Sequence, residues 1–446
     1  MRKRISAFFS VLAAIVLLTV PASAASSGST LKIICADAGQ VIFTPPGSTQ
    51  YAYRYGPAIL IDGDRIDIWA SAPPLVSNGV RYGNDSIEYI RSTDGGKTWT
   101  EWKTVLYPTL NSEDQWSTCD PGAFKYGDYY YVGYTGSPEF RTNPDKEKQV
   151  NNLFIARAKN PEGPYEKWNG NGWGGDPYAI DGVGCSMPSF TVKGDTLYMY
   201  YVDQTHPDQD WNSEGNISVS TFSLKDPNWP GNELSNKMCE NKPEEVRYCP
   251  DIDKFIGFQL KGGWDYDSYV EIYESTDGVN FTKTSSFRNN FPHYAHNIGI
   301  SGNNLGQLDL SIQNYIGTAY TPTGVEAWWG HWHTQLIPLY IREEQPSPTT
   351  SSQPSGSTDS SSRKPTTSSV GSTDGESSET EVSEPQNSNI ESTVSDDKDK
   401  DKEVNNKTEQ QEETSYLWLY IVIGAVVVLA GAGTAVYFLV IKKKHV

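Results

Sequence analysis

An all-β fold is what this 446-residue sequence predicts: a five-bladed β-propeller ectodomain, followed by a disordered linker and a single C-terminal transmembrane helix. Three observations point there. Short aromatic and β-branched runs alternate with Gly, Asn, Asp and Pro turns, with little helical periodicity. A strand–turn–strand unit recurs through the middle of the chain. The two ends carry apolar segments of different length and flanking charge.

Residues 1–24 have the layout of a secretory signal peptide. Arg2, Lys3 and Arg4 form a positive start, Phe8 to Val20 is apolar, and Ala22-Ser23-Ala24 supplies the small residues that a signal peptidase reads. Cleavage is expected after Ala24, which places the following domain in an exported compartment.

Residues 25–344 form the predicted propeller. Gly56-Pro57-Ala58-Ile59 leads through Asp62-Gly63-Asp64 into Ile66-Asp67-Ile68-Trp69. Asp120-Pro121-Gly122-Ala123-Phe124 leads through Gly127-Asp128 into Tyr129-Tyr130-Tyr131, and Met187-Pro188-Ser189-Phe190 through Gly194-Asp195 into Leu197-Tyr198-Met199-Tyr200. Cys249-Pro250-Asp251-Ile252 reads as the fourth copy, and His296-Asn297-Ile298-Gly299 as a fifth without proline. Pro57, Pro121, Pro188 and Pro250 are 64, 67 and 62 residues apart. A second hairpin follows the first in most copies, so each unit supplies four strands, and five such units make a five-bladed ring. The early strand Leu31-Lys32-Ile33-Ile34 is placed to complete the last blade.

Ser92 to Trp99 fits the Asp-box pattern of sialidases, Ser-x-Asp-x-Gly-x-Thr-Trp, and Ser275 to Phe281 is a shorter relative. In such a turn the Ser and Asp cap the hairpin and the aromatic packs beneath it, so the motif supports the fold rather than chemistry.

Residues 345–415 are rich in Ser, Thr, Pro, Glu, Asp and Lys and nearly without aromatics. They cannot bury enough apolar surface to offset chain entropy and read as a disordered stalk of about 50 Å. Residues 416–441 are apolar and uncharged, roughly 37 Å long as a helix, enough to cross a bilayer core of about 30 Å. Tyr416, Trp418 and Tyr420 mark one interface. Lys442, Lys443 and Lys444 mark the cytoplasmic side and open the tail of residues 442–446. The expected location is therefore the cell membrane, single-pass, with the ectodomain outside.

The net charge of -19 and the absence of a basic stripe exclude nucleic acid as a natural partner. Five cysteines in an exported chain permit disulfides, Cys239 with Cys249 as one loop staple, and leave at least one thiol over. No Cys or His spacing indicates zinc.

The first strand of each blade lines the channel of a propeller. Counting by twos from the proline places Arg54 and Gly56, Thr118 and Asp120, Cys185 and Met187, Cys249 and Asp251, and His296 on the channel face. Trp116 and Trp173 flank the entrances of blades two and three, where aromatic faces stack on sugar rings.

This arrangement resembles the five-bladed propeller glycoside hydrolases of the family 43 and family 32 group. The best stretches are the Asp120-Pro121 strand, the Ala156-Arg157-Ala158-Lys159-Asn160-Pro161-Glu162-Gly163-Pro164-Tyr165 hairpin and the Pro188-Ser189-Phe190 strand. The resemblance implies cleavage of a poly- or oligosaccharide by paired carboxyls. Family 43 enzymes are expected to draw three acids from the first three blades. Asp120 matches one of them, while Gly56 and Ser186 stand where the others belong. Asp114, Asp176, Asp181, Glu214, Glu244, Glu245 and Asp251 are the substitutes near inner strands.

The catalytic candidates are Asp120 and Asp181. The substrate-binding candidates are Arg54, Trp116, Trp173, Asp251 and His296. The resemblance allows a calcium ion beside His296, and no other cofactor is expected. The partners expected are a carbohydrate and, through one helix, a membrane. Three functions stay open: a surface glycoside hydrolase, a non-catalytic glycan-binding propeller, and an adhesion or protein-interaction domain.

Overall fold

The computed structural model describes residues 29–46, 52–139, 151–181, 184–204, 216–323 and 332–344. The signal segment, the stalk, the C-terminal apolar segment and the candidate Glu214 lie outside the described residues.

Five antiparallel four-stranded blades follow one another along the chain, and blades five and one join through their inner strands into one nine-stranded sheet that also holds the short strand Gln40–Phe43. Blade one comprises Tyr55–Asp62, Arg65–Ala72, Ser86–Ser92 and Lys103–Leu106. Blade two comprises Ser117–Tyr126, Tyr129–Ser137, Asn152–Ala158 and Glu166–Lys167. Blade three comprises Cys185–Lys193, Thr196–Asp203, Asn216–Ser223 and Glu233–Met238, and blade four Glu245–Cys249, Lys254–Lys261, Tyr269–Ser275 and Thr282–Phe287. Blade five comprises Ala295–Gly302, Asn314–Tyr320 and His333–Glu344, and its fourth strand is the N-terminal Thr30–Cys35. Leu31, Ile33 and Cys35 alternate inward along that strand, as a half-buried strand requires. Its register sets Ile33 opposite Ile341 and Cys35 opposite Leu339. The sequence expectation of a closing N-terminal strand holds.

Packing shows that the blades form a ring. One apolar cluster lies between each successive pair. Trp69 and Tyr89 of blade one meet Val132 and Phe154 of blade two. Phe124 and Tyr131 of blade two meet Phe190 and Met199 of blade three. Tyr200 and Val219 then meet Val246 and Phe255, and Ile256 and Ile272 meet Ile300 and Ile337. Leu336 of blade five packs on Ile59 and Ile68 of blade one. Each fully buried large side chain contributes about 1.5–3 kcal/mol by leaving water. The inner strands of blades five and one also pair directly and in parallel, Ser301 with Ile59 and Gly302 with Leu60. Gly299 permits that approach, because a Cβ there would stand 1.6 Å from the Pro57 carbonyl oxygen.

The turn that closes the third strand of blade one is held as its residues suggest. Ser92 Oγ accepts from Gly96 N at 2.8 Å, and Asp94 Oδ1 accepts from Lys97 N and Thr98 N at 3.0 and 2.9 Å. Asp277 makes the equivalent bonds to Val279 N and Asn280 N in blade four, with Phe281 buried beneath.

Two expectations are corrected. All five cysteines are free and buried, so Cys239 and Cys249 form no staple. In blade four the repeat is set by Glu245 and not by Pro250. In blades one to four, the residue two places beyond the channel position pairs with the residue eleven positions further on: Ala58 with Trp69, Gly122 with Gly133, Ser189 with Tyr200, Val246 with Gly257. The counterpart of Asp120-Pro121 is therefore Glu244-Glu245. Pro250 and Asp251 stand in the turn after the inner strand.

Candidate active site at the ring axis

Each inner strand starts at one rim of the ring. In four of the five blades its regular alternation breaks at the same step. Gly56, Asp120, Met187 and Asn297 adopt positive φ of 47–56°. The ladder shifts register beside each of them. A bulge of this kind turns a side chain out of the pleat, which brings Asp120, Met187 and Asn297 to one cavity, with Gly56 in the equivalent place of blade one. Gly and Asn tolerate the left-handed region best, and Asp shares that tolerance. Met187 holds it against its preference, its N–H tied to Thr135 Oγ1 at 2.8 Å.

These residues, with Glu244 and Glu245 of blade four and Pro121, Pro188 and Ile298, line one cavity to which all five blades contribute. It measures about 20 Å³, room for on the order of one water molecule.

Asp120 is the centre of its polar network. Asn297 Nδ2 donates to Asp120 Oδ1 at 3.0 Å, and the Asp120 N–H donates to Ser71 Oγ at 2.7 Å. Gly56 leaves that junction clear, since a Cβ there would sit 3.4 Å from Asp120 Oδ1 and 3.5 Å from Asn297 Nδ2. Cys119 Sγ donates to Asp120 Oδ2 at 3.4 Å. Burial, reinforced by the Asp85 carboxylate, raises the Asp120 carboxyl to about 6, against opposing hydrogen bonds from Cys119, Thr135 and Asn297. Asp85 is itself buried, and burial pushes its carboxyl up. It accepts from Tyr53 Oη at 2.5 Å and Ser117 Oγ at 2.9 Å. Ser117 Oγ lies 3.4 Å from Cys119 Sγ, so a line of polar groups links the two acids.

Glu245 is committed to structure. Its Oε2 pairs with Arg247 at 2.8 Å and accepts from Ser189 Oγ at 3.1 Å, and burial raises its carboxyl. Glu244, like Asp120 and Glu245, is a partly exposed carboxyl of the cavity.

His296 sits beside Asn297 in an aromatic cluster. Its ring lies 4.3 Å from Trp332 in a stacked arrangement, 4.5 Å from Trp264 and 5.4 Å from Tyr55. Burial lowers its imidazole to about 3, so the ring is neutral near neutral pH. These aromatic neighbours offer no oxygen cage. Among the described residues no three His, Cys, Asp or Glu side chains group as metal ligands, so the surroundings of His296 do not fit a calcium ion.

The remaining candidates fall elsewhere. Asp181 bridges blades two and three. It pairs with Leu153 and hydrogen-bonds the buried Tyr201, and it does not line the axial cavity. Arg54 points into blade one, where it pairs with Glu88 at 2.5 Å and lies over Phe43 and Trp102. Trp173 is packing, set among Tyr131, Trp168 and Trp229. Trp116 is partly exposed at the seam of blades one and two, its carbonyl accepting from Asn84 N at 2.6 Å. Asp251 is exposed in its turn and accepts from Leu310 N at 3.1 Å. Asp114 is buried against Lys167 at 2.5 Å.

Asp85 and Asn297 escaped sequence reasoning. Asp85 precedes a third strand, in no repeated position. Asn297 carried the signal of its alignment with Gly56, Asp120 and Met187, which counting by twos passed over.

No family model matches the chain, and no curated protein matches it. Among solved structures the chain is similar to the α-L-arabinofuranosidase PaAbf62A from Podospora anserina, with 11% identity over 70% of this chain and 98% of that one, TM-score 0.45. It is similar to Zg3597, a family 117 glycoside hydrolase of Zobellia galactanivorans, with 16% identity over 70% and 90%, TM-score 0.47. A thermostable family-43 glycoside hydrolase gives 13% identity over 71% and 99%, TM-score 0.46.

Proposed function

We propose that this chain is a cell-surface glycoside hydrolase-like protein that cleaves a poly- or oligosaccharide at the ring axis. The observation that carries the reading is the convergence of two carboxyls, Asp120 and Glu244, on one cavity. Asp120 is raised to about 6 and keeps its proton up to about that pH, and Glu244 faces the same space. Glycoside hydrolysis asks for such a pair. Asp120 gives its proton to the leaving glycosidic oxygen as the C–O bond breaks. Glu244 takes a proton from the water that attacks the anomeric carbon. Release of that proton to solvent from Glu244, and uptake of one by Asp120, restore the start. Asp85 acts as a positioning residue that keeps Asp120 protonated. Trp264, partly exposed, supplies a ring face for the sugar. No cofactor enters. Cell-surface placement rests on the signal and membrane segments read in residues 1–24 and 416–441.

A second reading, a glycan-binding propeller without catalysis, is favoured by the volume of the axial cavity, which admits no sugar ring as it stands.

A panel of polysaccharides and aryl glycosides incubated with the full-length chain in detergent tests both. Asp120→Asn preserves the backbone conformation that Asp120 adopts and removes the acid, so hydrolysis is expected to fall about 100-fold or more. Glu244→Gln is expected to do the same. Hydrolysis that survives Asp120→Asn overturns the assignment. Saturable glycan binding without turnover establishes the second reading.

A further inference from the structure

A cavity larger than the axial one lies elsewhere in the described residues. A groove of about 730 Å³ runs along the seam of blades one and two. Arg65, Arg91 and Lys103 line it from blade one, and Lys125 and Lys159 from blade two. Asp128 and Glu162 are the only acids on its wall, which gives five cations against two anions in a chain whose net charge is -19.

The pairing within the groove leaves the cations in surplus. Glu162 serves two of them, Arg91 at 3.1 Å and Lys103 at 3.9 Å. Arg65 pairs with Asp67 at 2.8 Å, below the wall. Lys125 and Lys159 make no ion pair among the described residues. Lys125 Nζ lies 5.0 Å from the Tyr130 ring centre and Lys159 Nζ 5.9 Å from that of Tyr129. Those rings hold the two amines forward at little entropic cost. Clustered like charges repel, so five cations around one concave surface favour an anion that neutralises them.

The groove is separate from the axial site. Asp120 lies near the start of its strand and Lys125 near the end, roughly 16 Å apart along the strand. No residue lines both.

We propose that this groove binds a polyanionic polysaccharide, a glycan chain bearing carboxylate or sulfate groups. The volume lies in the range of ligand sites, about 300–1,000 Å³. The wall has the wrong character for a protein partner. None of the exposed large apolar side chains of the described residues lines it, and Tyr130 is buried. Protein interfaces draw most of their energy from aromatic or aliphatic anchors in pockets. A ligand here is held by charge and hydrogen bonds spaced along it, which a charged glycan supplies at every one or two sugars. Such a second site binds the anionic chain by its flank and leaves the axis free.

The test is binding of the full-length chain, in detergent, to immobilised polygalacturonate and dextran sulfate, with neutral dextran and poly-glutamate as comparison arms. Binding to either anionic glycan is expected, weakening steeply from 50 to 300 mM salt. The ratio of the two reports carboxylate against sulfate. The double variant Lys125→Gln/Lys159→Gln, both side chains reaching solvent, is expected to bind about tenfold more weakly with an unchanged melting temperature. Lys159→Glu alone is expected to weaken it further than Lys159→Gln. Asp120→Asn, which disables the proposed axial chemistry, leaves this binding intact. Equal binding to neutral dextran, stronger binding to poly-glutamate than to either glycan, or full binding by the double variant overturns the proposal.

Discussion

Asp120 carries two properties that seldom coincide. It occupies a left-handed backbone position, φ 47°, and its carboxyl is raised to about 6. The first turns the group toward the axis, and the second keeps it protonated where an ordinary aspartate is ionised. The stability consequence has a definite sign. The folded state holds this proton more tightly than the unfolded chain, so the folded protein loses stability as pH rises from about 4 through 6. The loss is on the order of 3 kcal/mol. Denaturant unfolding of Asp120→Asn at pH 4 and pH 7 is expected to show a smaller decline than the parent. Asp85 and Glu245 titrate nearby in both proteins, so the informative quantity is the difference. Equal declines would mean that Asp120 titrates normally. Activity should follow the same group and fall as pH climbs past about 6. None of this was visible in composition. The sequence reading reached Asp120 by position in a repeat, and could not see Asp85, because the partner lies 35 positions away on an unrepeated loop.

The inner strand is the element on which the site depends. Four of the five carry the same bulge, and it interrupts the alternation that a regular strand keeps. Counting by twos through that bulge assigned Arg54 to the channel, when its guanidinium packs inside blade one. It also passed over Asn297, which points at Asp120. The repeat itself was legible where a proline marks the bulge, in Pro57, Pro121 and Pro188. It misled in blade four, because Pro250 serves a turn at nearly the repeat distance while Pro243 stands two residues ahead of the true counterpart, Glu245. Close approach of neighbouring inner strands gives a sharp steric prediction. Gly299→Ala would drive a methyl to 1.6 Å from the Pro57 carbonyl, and neither backbone can retreat without breaking the Ser301–Ile59 pairing. A destabilisation of about 3 kcal/mol or more is expected, read as a lowered denaturant midpoint. A change under 1 kcal/mol would show that the seam between blades five and one is looser than described.

At the scale of the whole molecule the ring closes with strands from both ends of the domain. Thr30–Cys35 forms the outermost strand of blade five, and its side chains fill the cluster between blades four and five. Leu31 N donates to Glu274 Oε1 at 2.9 Å, and Lys254 Nζ donates to the Ser29 carbonyl at 2.6 Å, so blade four grips the same strand. Ile33→Asp places an unpaired carboxyl in that cluster, where Ile33 is 1% exposed. The melting temperature is expected to drop by roughly 10 °C. A melt unchanged by this substitution would mean that the strand decorates the ring without closing it. This much of the fold was legible from the aromatic repeats and one isolated early strand, since five copies of a unit with an apolar inner strand have few ways to bury every face.

The closure also decides how the molecule carries load. Chain beyond residue 344 leaves directly from His333–Glu344, so any pull along it enters the ring through that strand. The strand is clamped on both edges, by Asn314–Tyr320 on one side and by Thr30–Cys35 and Gln40–Phe43 on the other. Tension along its axis works against these ladders in shear, with many hydrogen bonds resisting at once, instead of peeling them apart singly. A domain pulled from this point keeps its blades in register under load.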